Sequence, residues 1–147
     1  MIPMLGKPKP AEIVQTPFTD WVASFSPDGK WLAYMSNESG IEDVYVKSLT
    51  TARRHRVSAG GGIQPRWRHD GRELFFLGPG NQLMSAAVEP GNEFVSSPPK
   101  LLFAACGPTS VAWEYRYDVV ADGERILWLC PANDTASAAT VVVNWAE

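Results

Sequence analysis

The sequence lacks any run of about 18 apolar residues, so nothing in it reads as a membrane-spanning helix. Histidine is scarce. Two residues, His55 and His69, cannot build the multi-histidine zinc cluster that metallo-hydrolases use. Cysteine is scarce too, and Cys106 and Cys130 form neither a CxxC nor a Cys/His metal spacing. They read as buried free thiols, with a disulfide as the alternative. A GxSxG nucleophile elbow and an EF-hand loop are both missing. The run Gly60 to Gly62 precedes a strand-like stretch and no helix, so it is a linking loop rather than a phosphate cradle. No segment carries helical periodicity. Charge of one sign is also wanting. The formal net charge is −3, and the basic run Arg53 to Arg56 stands alone, so there is no electrostatic case for nucleic acid or an anionic membrane as partner. The opening MIPMLGKPKP has no apolar core of signal-peptide length, which as written predicts a cytoplasmic protein.

What remains is a chain of 147 residues, enough for one domain with a sizeable core. Twelve glycines and twelve prolines point to many turns, and six tryptophans favour strands. The informative feature is a repeat. FSPDGKWLAY, WRHDGRELFF and VVADGERILW align on Asp28-Gly29, Asp70-Gly71 and Asp122-Gly123. Phe25, Trp67 and Val119 then coincide, as do Leu32, Leu74 and Ile126, and Tyr34, Phe76 and Trp128. The first two copies are 42 residues apart, the length of one four-stranded propeller blade; the next interval is 52, a blade with an insertion between Gly107 and Glu114.

Each Asp-Gly pair lies between two β-rich runs, where a tight hairpin needs positive φ and turn hydrogen bonds. Asp28, Asp70 and Asp122 are therefore read as turn residues rather than as a ring of acids. The frame predicts strands at Trp21–Phe25, Trp31–Ser36, Asp43–Ser48 and Arg54–Val57, then at Gln64–Arg68, Glu73–Leu77, Gln82–Val88 and Lys100–Phe103. A third set covers Tyr115–Val119, Arg125–Cys130 and Thr140–Trp145 and ends one strand short, with Pro131–Ala139 as a loop. The fold class is thus all-β: three four-stranded antiparallel propeller blades. Closed propellers have four to eight blades, so the expected assembly is a homodimer closing a six-bladed ring. Residues 1–15 form an N-terminal arm, whose strand-like Glu12–Gln15 is expected to complete the third blade of the other copy, and residues 16–147 the three-bladed segment.

The repeat resembles that of TolB-like propellers, whose pattern is WSPDG followed by a basic residue, an apolar pair and an aromatic. FSPDGKWLAY carries it in full, while His69 and Ala121 replace the proline in the later copies. More narrowly, PFTDWVASFSPDGKWLAYMSNESG and GGGIQPRWRHDGRELFFL are similar to the C-terminal propeller tails of bacterial serine/threonine kinases. No kinase motif is present, so no kinase activity follows. In size and character the chain is also similar to short metagenome-derived hydrolases of N-acyl-homoserine lactones. Propeller sites sit where inner strands meet the central channel, which selects Asp20, Ser24, Gln64, Arg66, Glu114, Arg116 and Asp118. The lactonase resemblance implies a Ca²⁺ held there, polarising the lactone carbonyl and activating water. Under it, Asp20, Gln64 and Asp118 are the metal ligands. Asp20, Glu114 and Asp118 are the catalytic carboxylates, and Ser24, Arg66 and Arg116 bind substrate. The competing reading pairs Asp118 or Glu114 with Arg66 or Arg116 in salt bridges. The alternative function is a non-catalytic module that binds a protein or small ligand and derives from a kinase sensor tail.

Overall fold

A computed structural model describes residues 12–106, 114–121 and 123–130, and the backbone of 138–143. Strands β1 (Asp20–Phe25), β2 (Trp31–Ser36), β3 (Asp43–Ser48) and β4 (Arg54–Arg56) form one antiparallel meander. A second consists of β5 (Ile63–Trp67), β6 (Glu73–Gly78), β7 (Gln82–Ala87) and β8 (Lys100–Ala104). The third holds β9 (Tyr117–Val119), β10 (Arg125–Cys130) and β11 (Ala138–Val143). The sheets are all-antiparallel, as the repeat predicts, with three strands rather than four in the last among the described residues. No helix among the described residues is long and apolar enough to cross a membrane.

The turns explain why the repeat exists. In each copy the glycine amide donates to the carbonyl three residues back: Gly29 to Ser26 at 2.9 Å, Gly71 to Arg68 at 2.9 Å and Gly123 to Val120 at 2.8 Å. All three glycines have positive φ, between 68° and 75°. Asp28 Oδ1 accepts from the Ser26 hydroxyl and the Lys30 amide, and Asp70 Oδ1 accepts from the Arg72 amide. These carboxylates build hairpins, as expected; Asp122 lies outside the described residues.

Alternation along β6 divides the core. Leu74 and Phe76 face the first sheet and pack with Trp31, Ala33, Val44 and Val46. Phe75 and Leu77 face the third and pack with Tyr117, Ile126 and Trp128. A period-2 strand buried on both faces needs this unbroken apolar run. The middle sheet is thus sandwiched between the other two.

Four expectations change. Cys106 and Cys130 are joined by a disulfide across 24 residues, so they are not free thiols. It ties the end of the second sheet to the end of β10. Cys130→Ser is expected to lower stability by about 3 kcal/mol, read as a shift in urea midpoint that reducing agent reproduces in the parent chain. The stretch Glu12–Gln15 forms no strand. It lies against its own first sheet, where the Lys47 ammonium donates to the Ile13 carbonyl. Tyr115 and Arg116 stay outside β9 because the Gln64 side chain engages the backbone on both sides of Tyr115. Finally β11 begins at Ala138, so the last two residues of the expected Pro131–Ala139 loop are strand. Residues 131–137, most of the Gly107–Glu114 insertion, Trp145 and residues 1–11 of the arm are outside the described set.

Candidate functional site

Ser24, Arg66 and Asp118 occupy one repeat position, on β1, β5 and β9. Phe25, Trp67 and Val119 hold the next, and Pro27, His69 and Ala121 the position just before the turn aspartate. These three triads together line one cavity of about 240 Å³. Equivalent positions from three sheets converge only when their inner strands surround a common axis. The cavity therefore lies where the inner strands of the three sheets end at the Asp-Gly hairpins.

Arg66 dominates it. Its guanidinium stacks 4.0 Å over the Tyr115 ring and its Nη1 lies 3.4 Å from Asp118 Oδ1. Its Nε is buried without a hydrogen-bond partner among the described residues. The Asp118 side chain is 67% exposed, so the pair is of the solvent-screened kind that contributes at most about 1 kcal/mol. A ligand carboxylate or carbonyl can therefore take Asp118's place on Arg66 at little cost. Trp67 closes one wall, its indole Nε1 donating to the Ser24 carbonyl at 3.1 Å and fixing β1 beside β5. Burial raises the Tyr115 hydroxyl above its usual range and pushes Tyr117 further up, so both stay protonated donors. Tyr117 donates to the Gln64 carbonyl at 2.7 Å, and Tyr115 to that of Pro65 at 3.2 Å.

The seven sequence candidates separate into two groups. Ser24, Arg66 and Asp118 meet at the cavity, and the competing salt-bridge reading holds for Arg66 with Asp118. Asp20 and Glu114 lie four positions back along their chains, away from the Asp-Gly hairpins. Asp20 accepts from the Thr16 hydroxyl at 2.5 Å; Glu114 contributes a backbone carbonyl, and its own side chain is exposed. Arg116 gives its amide to Gln64 Oε1 at 3.1 Å.

Gln64 is held within the fold. Its φ of 57° sits in a β-bulge between Ile63 and Arg66, which turns the side chain away from a normal strand direction. Val22, its repeat equivalent, has the same positive φ in the matching bulge of β1. The Gln64 amide is fully buried, donates to the Glu114 carbonyl and accepts from the Arg116 amide. Both ends of this amide are thus committed to the backbone around Tyr115. Asp118 is paired with Arg66, Asp20 lies four positions before Ser24, and no group of three or more His, Cys, Asp or Glu among the described residues is arranged to hold a metal. The residues as placed do not fit the Ca²⁺ that the lactonase resemblance implies.

Sequence reasoning did not place Trp67, Tyr115 or His69 among the site residues. The signal for Trp67 and His69 was in the repeat: they share their positions with the inner-strand neighbours of Ser24 and Asp118. Tyr115 had none, because its stacking on Arg66 crosses between sheets.

Comparison with known proteins fits this architecture. No family model matches the chain, and no curated protein matches it in sequence. Solved structures do match in fold. A protein designated TolB from Agrobacterium tumefaciens aligns with a TM-score of 0.61 at 15% identity, over 86% of this chain and 46% of that one. The fold is that of a TolB-like β-propeller. An oligogalacturonate lyase from Vibrio parahaemolyticus gives 0.56 at 14% identity, over 80% of this chain and 31% of that one. A protein designated 6-phosphogluconolactonase from Bacteroides uniformis gives 0.53 at 15% identity, over 88% and 42%. The chain thus spans less than half the length of each of these propeller proteins.

Proposed function

We propose that this propeller segment is a ligand-binding module whose site is the cavity at the Asp-Gly hairpins. The observation that carries the reading is the convergence of Ser24, Arg66 and Asp118, one repeat position from each sheet, on a single cavity. Its walls combine a cation, a carboxylate, a hydroxyl and an imidazole with Phe25 and Trp67. Such a lining suits a small molecule with an apolar body and a carbonyl or carboxylate, and about 240 Å³ is at the small end of ligand sites. A disulfide persists in oxidising compartments, so the Cys106–Cys130 bond favours one of those over the cytoplasm for this module.

A second reading, lactone hydrolysis, is favoured by one specific feature. His69 and Asp118 line the same cavity as Arg66. With a lactone carbonyl on Arg66, His69 would take a proton from water as the water oxygen adds to the carbonyl carbon. Arg66 would face the oxyanion that forms. Collapse then breaks the ring C–O bond, and the leaving alkoxide takes the proton back, giving the hydroxy acid.

One experiment tests both readings. N-Hexanoyl-homoserine lactone is titrated into the protein by calorimetry, and ring opening is followed in parallel with and without chelator. Binding that Arg66→Gln weakens at least about tenfold, without turnover, is the expected result. Turnover that survives chelator and is lost in His69→Ala, with binding kept, would establish the hydrolase instead. Neither binding nor turnover would remove lactones as ligands. Turnover abolished by chelator would reinstate the metal, at a site other than Gln64.

A further inference from the structure

The two inter-sheet interfaces follow one rule. Leu74 and Phe76 of the second sheet face the sheet before it, and so do Ile126 and Trp128 of the third. Ala33 in the first sheet and Phe75 and Leu77 in the second face the sheet after. Extending the rule leaves two faces without a sheet among the described residues. In the third sheet, Leu127 and Leu129 hold the positions of Phe75 and Leu77, and they are 37% and 47% exposed. In the first sheet, Leu32 and Tyr34 hold the positions of Leu74 and Phe76. They are buried, yet they belong to neither inter-sheet cluster. The segment Val14 to Phe18 lies there instead, leaving a cavity of about 270 Å³ against Tyr34, Lys47 and Arg54.

The hairpins stack in the same order. A Cβ at Gly71 would meet Pro27 of the turn before at 3.6 Å, and one at Gly123 would meet Arg68. A Cβ at Gly29 would meet nothing within 4 Å. Its missing neighbour is the turn that would precede it, the equivalent of the third turn, where Val120 is 36% exposed at the repeat position of Arg68.

We propose that a second copy of this chain fills both vacancies: the Leu127–Leu129 face of each copy docks on the Leu32–Tyr34 face of the other, displacing residues 12–18. The occupant follows from the rule itself, since the receiving face and the donated face are the two halves of an interface the chain already makes twice. A two-fold axis along the channel makes both contacts identical and leaves no free face. Six inner strands then surround the channel, and the cavity at Ser24, Arg66 and Asp118 becomes part of a complete ring. The arm acts as a strap: it covers the receiving face in the lone chain through contacts such as Lys47 to the Ile13 carbonyl.

Sedimentation of the intact chain and of a Leu127→Asp/Leu129→Asp variant tests this without reference to lactone binding. A dimer at micromolar concentration, whose dissociation constant rises at least about 100-fold in the variant, is the expected result. The variant's near-ultraviolet circular dichroism reports whether it folds. Should it fail to fold, hydrogen exchange of the parent chain decides: residues 12–18 must lose protection as concentration rises through the association range. A monomer at 100 µM, a dimer indifferent to the double substitution, or an arm whose exchange is independent of concentration would overturn the proposal.

Discussion

Asp43→Ala is expected to cost about 4 kcal/mol of folding free energy, enough to leave a domain of this size partly unfolded at room temperature. Asp43 begins β3 and is wholly buried. Its Oδ1 accepts from the Ser58 hydroxyl at 2.7 Å and the Gly61 amide at 3.1 Å. Its Oδ2 accepts from the Ser39 hydroxyl at 2.6 Å and from Arg56 Nη2 at 2.5 Å. One carboxylate thus holds the β2–β3 turn, the strand β4 and the linker into the second sheet. Ser58 passes the network on by accepting the Val44 amide at 2.8 Å. Alanine would take the acceptor from four donors, the buried Ser58 hydroxyl among them. Urea unfolding monitored by tryptophan fluorescence measures the loss, and a change under about 1 kcal/mol would show that water replaces the carboxylate without penalty.

The same residue sets an acid limit. Burial raises the Asp43 carboxyl, but the bonds from Ser39, Ser58 and Gly61 and the charge of Arg56 more than offset it, leaving it below the ordinary aspartate value. A group depressed in the folded state contributes stability above its unfolded pKa, near 4, and loses it as pH falls toward the folded value. Asp70 behaves alike: the Arg68 hydrogen bonds hold it at about 2. The urea midpoint of the parent chain should therefore fall steeply below pH 4, and Asp43→Asn should flatten that fall without removing the Asp70 part. An identical slope in both proteins would place the acid sensitivity elsewhere.

These two aspartates show what was legible beforehand. Asp70 was readable because its role is local: an Asp-Gly pair between β-rich runs specifies a hairpin whatever surrounds it. So were the strands, since each copy of the repeat sets the phase of the next. Asp43 was read as the first residue of a strand and nothing more. Its partners lie up to 22 positions apart in sequence, from Ser39 to Gly61, and no spacing rule links them. The site divides in the same way. Repeat alignment brought Ser24, Arg66 and Asp118 to one position, and the fold brings them to one cavity. It also brought Asp20 and Glu114 to one position, but four positions back, away from the hairpins. Equivalence in a repeat fixes height along the axis, and the ligand set had mixed two heights. Gln64 was named as a ligand, but its hold on the segment around Tyr115 was not readable, since a bulge with positive φ redirects its amide and nothing in GGGIQPRW announces it.

Gly123→Val should cost about 4 kcal/mol, well beyond the same change at Gly29. Two effects add. The backbone at Gly123 has φ of 75°, which a β-branched residue resists. A Cβ there would also lie 2.2 Å from Arg68 Cδ and 2.8 Å from its Cγ. Arg68 cannot simply swing aside. Its Nε and Nη2 bond the two oxygens of Asp70 at 2.8 and 2.6 Å, and Nη1 reaches Glu73 at 3.3 Å. Those contacts are part of the second hairpin, so a side chain at Gly123 in the third sheet disturbs the second. Gly29 has nearly the same φ, 68°, and open space where its Cβ would be, so Gly29→Val carries the backbone strain alone, about 2 kcal/mol. The difference between the two variants isolates the contact between turns. Arg68→Ala should restore about half of the Gly123→Val loss in a double-mutant cycle, because it removes the atoms in the way while leaving the strained backbone. Equal losses at Gly29 and Gly123 in a protein that sediments as a monomer would mean that the turns do not stack. In a dimer, by contrast, the Gly29 penalty should rise toward that of Gly123 with protein concentration, as the third turn of the second copy closes over it.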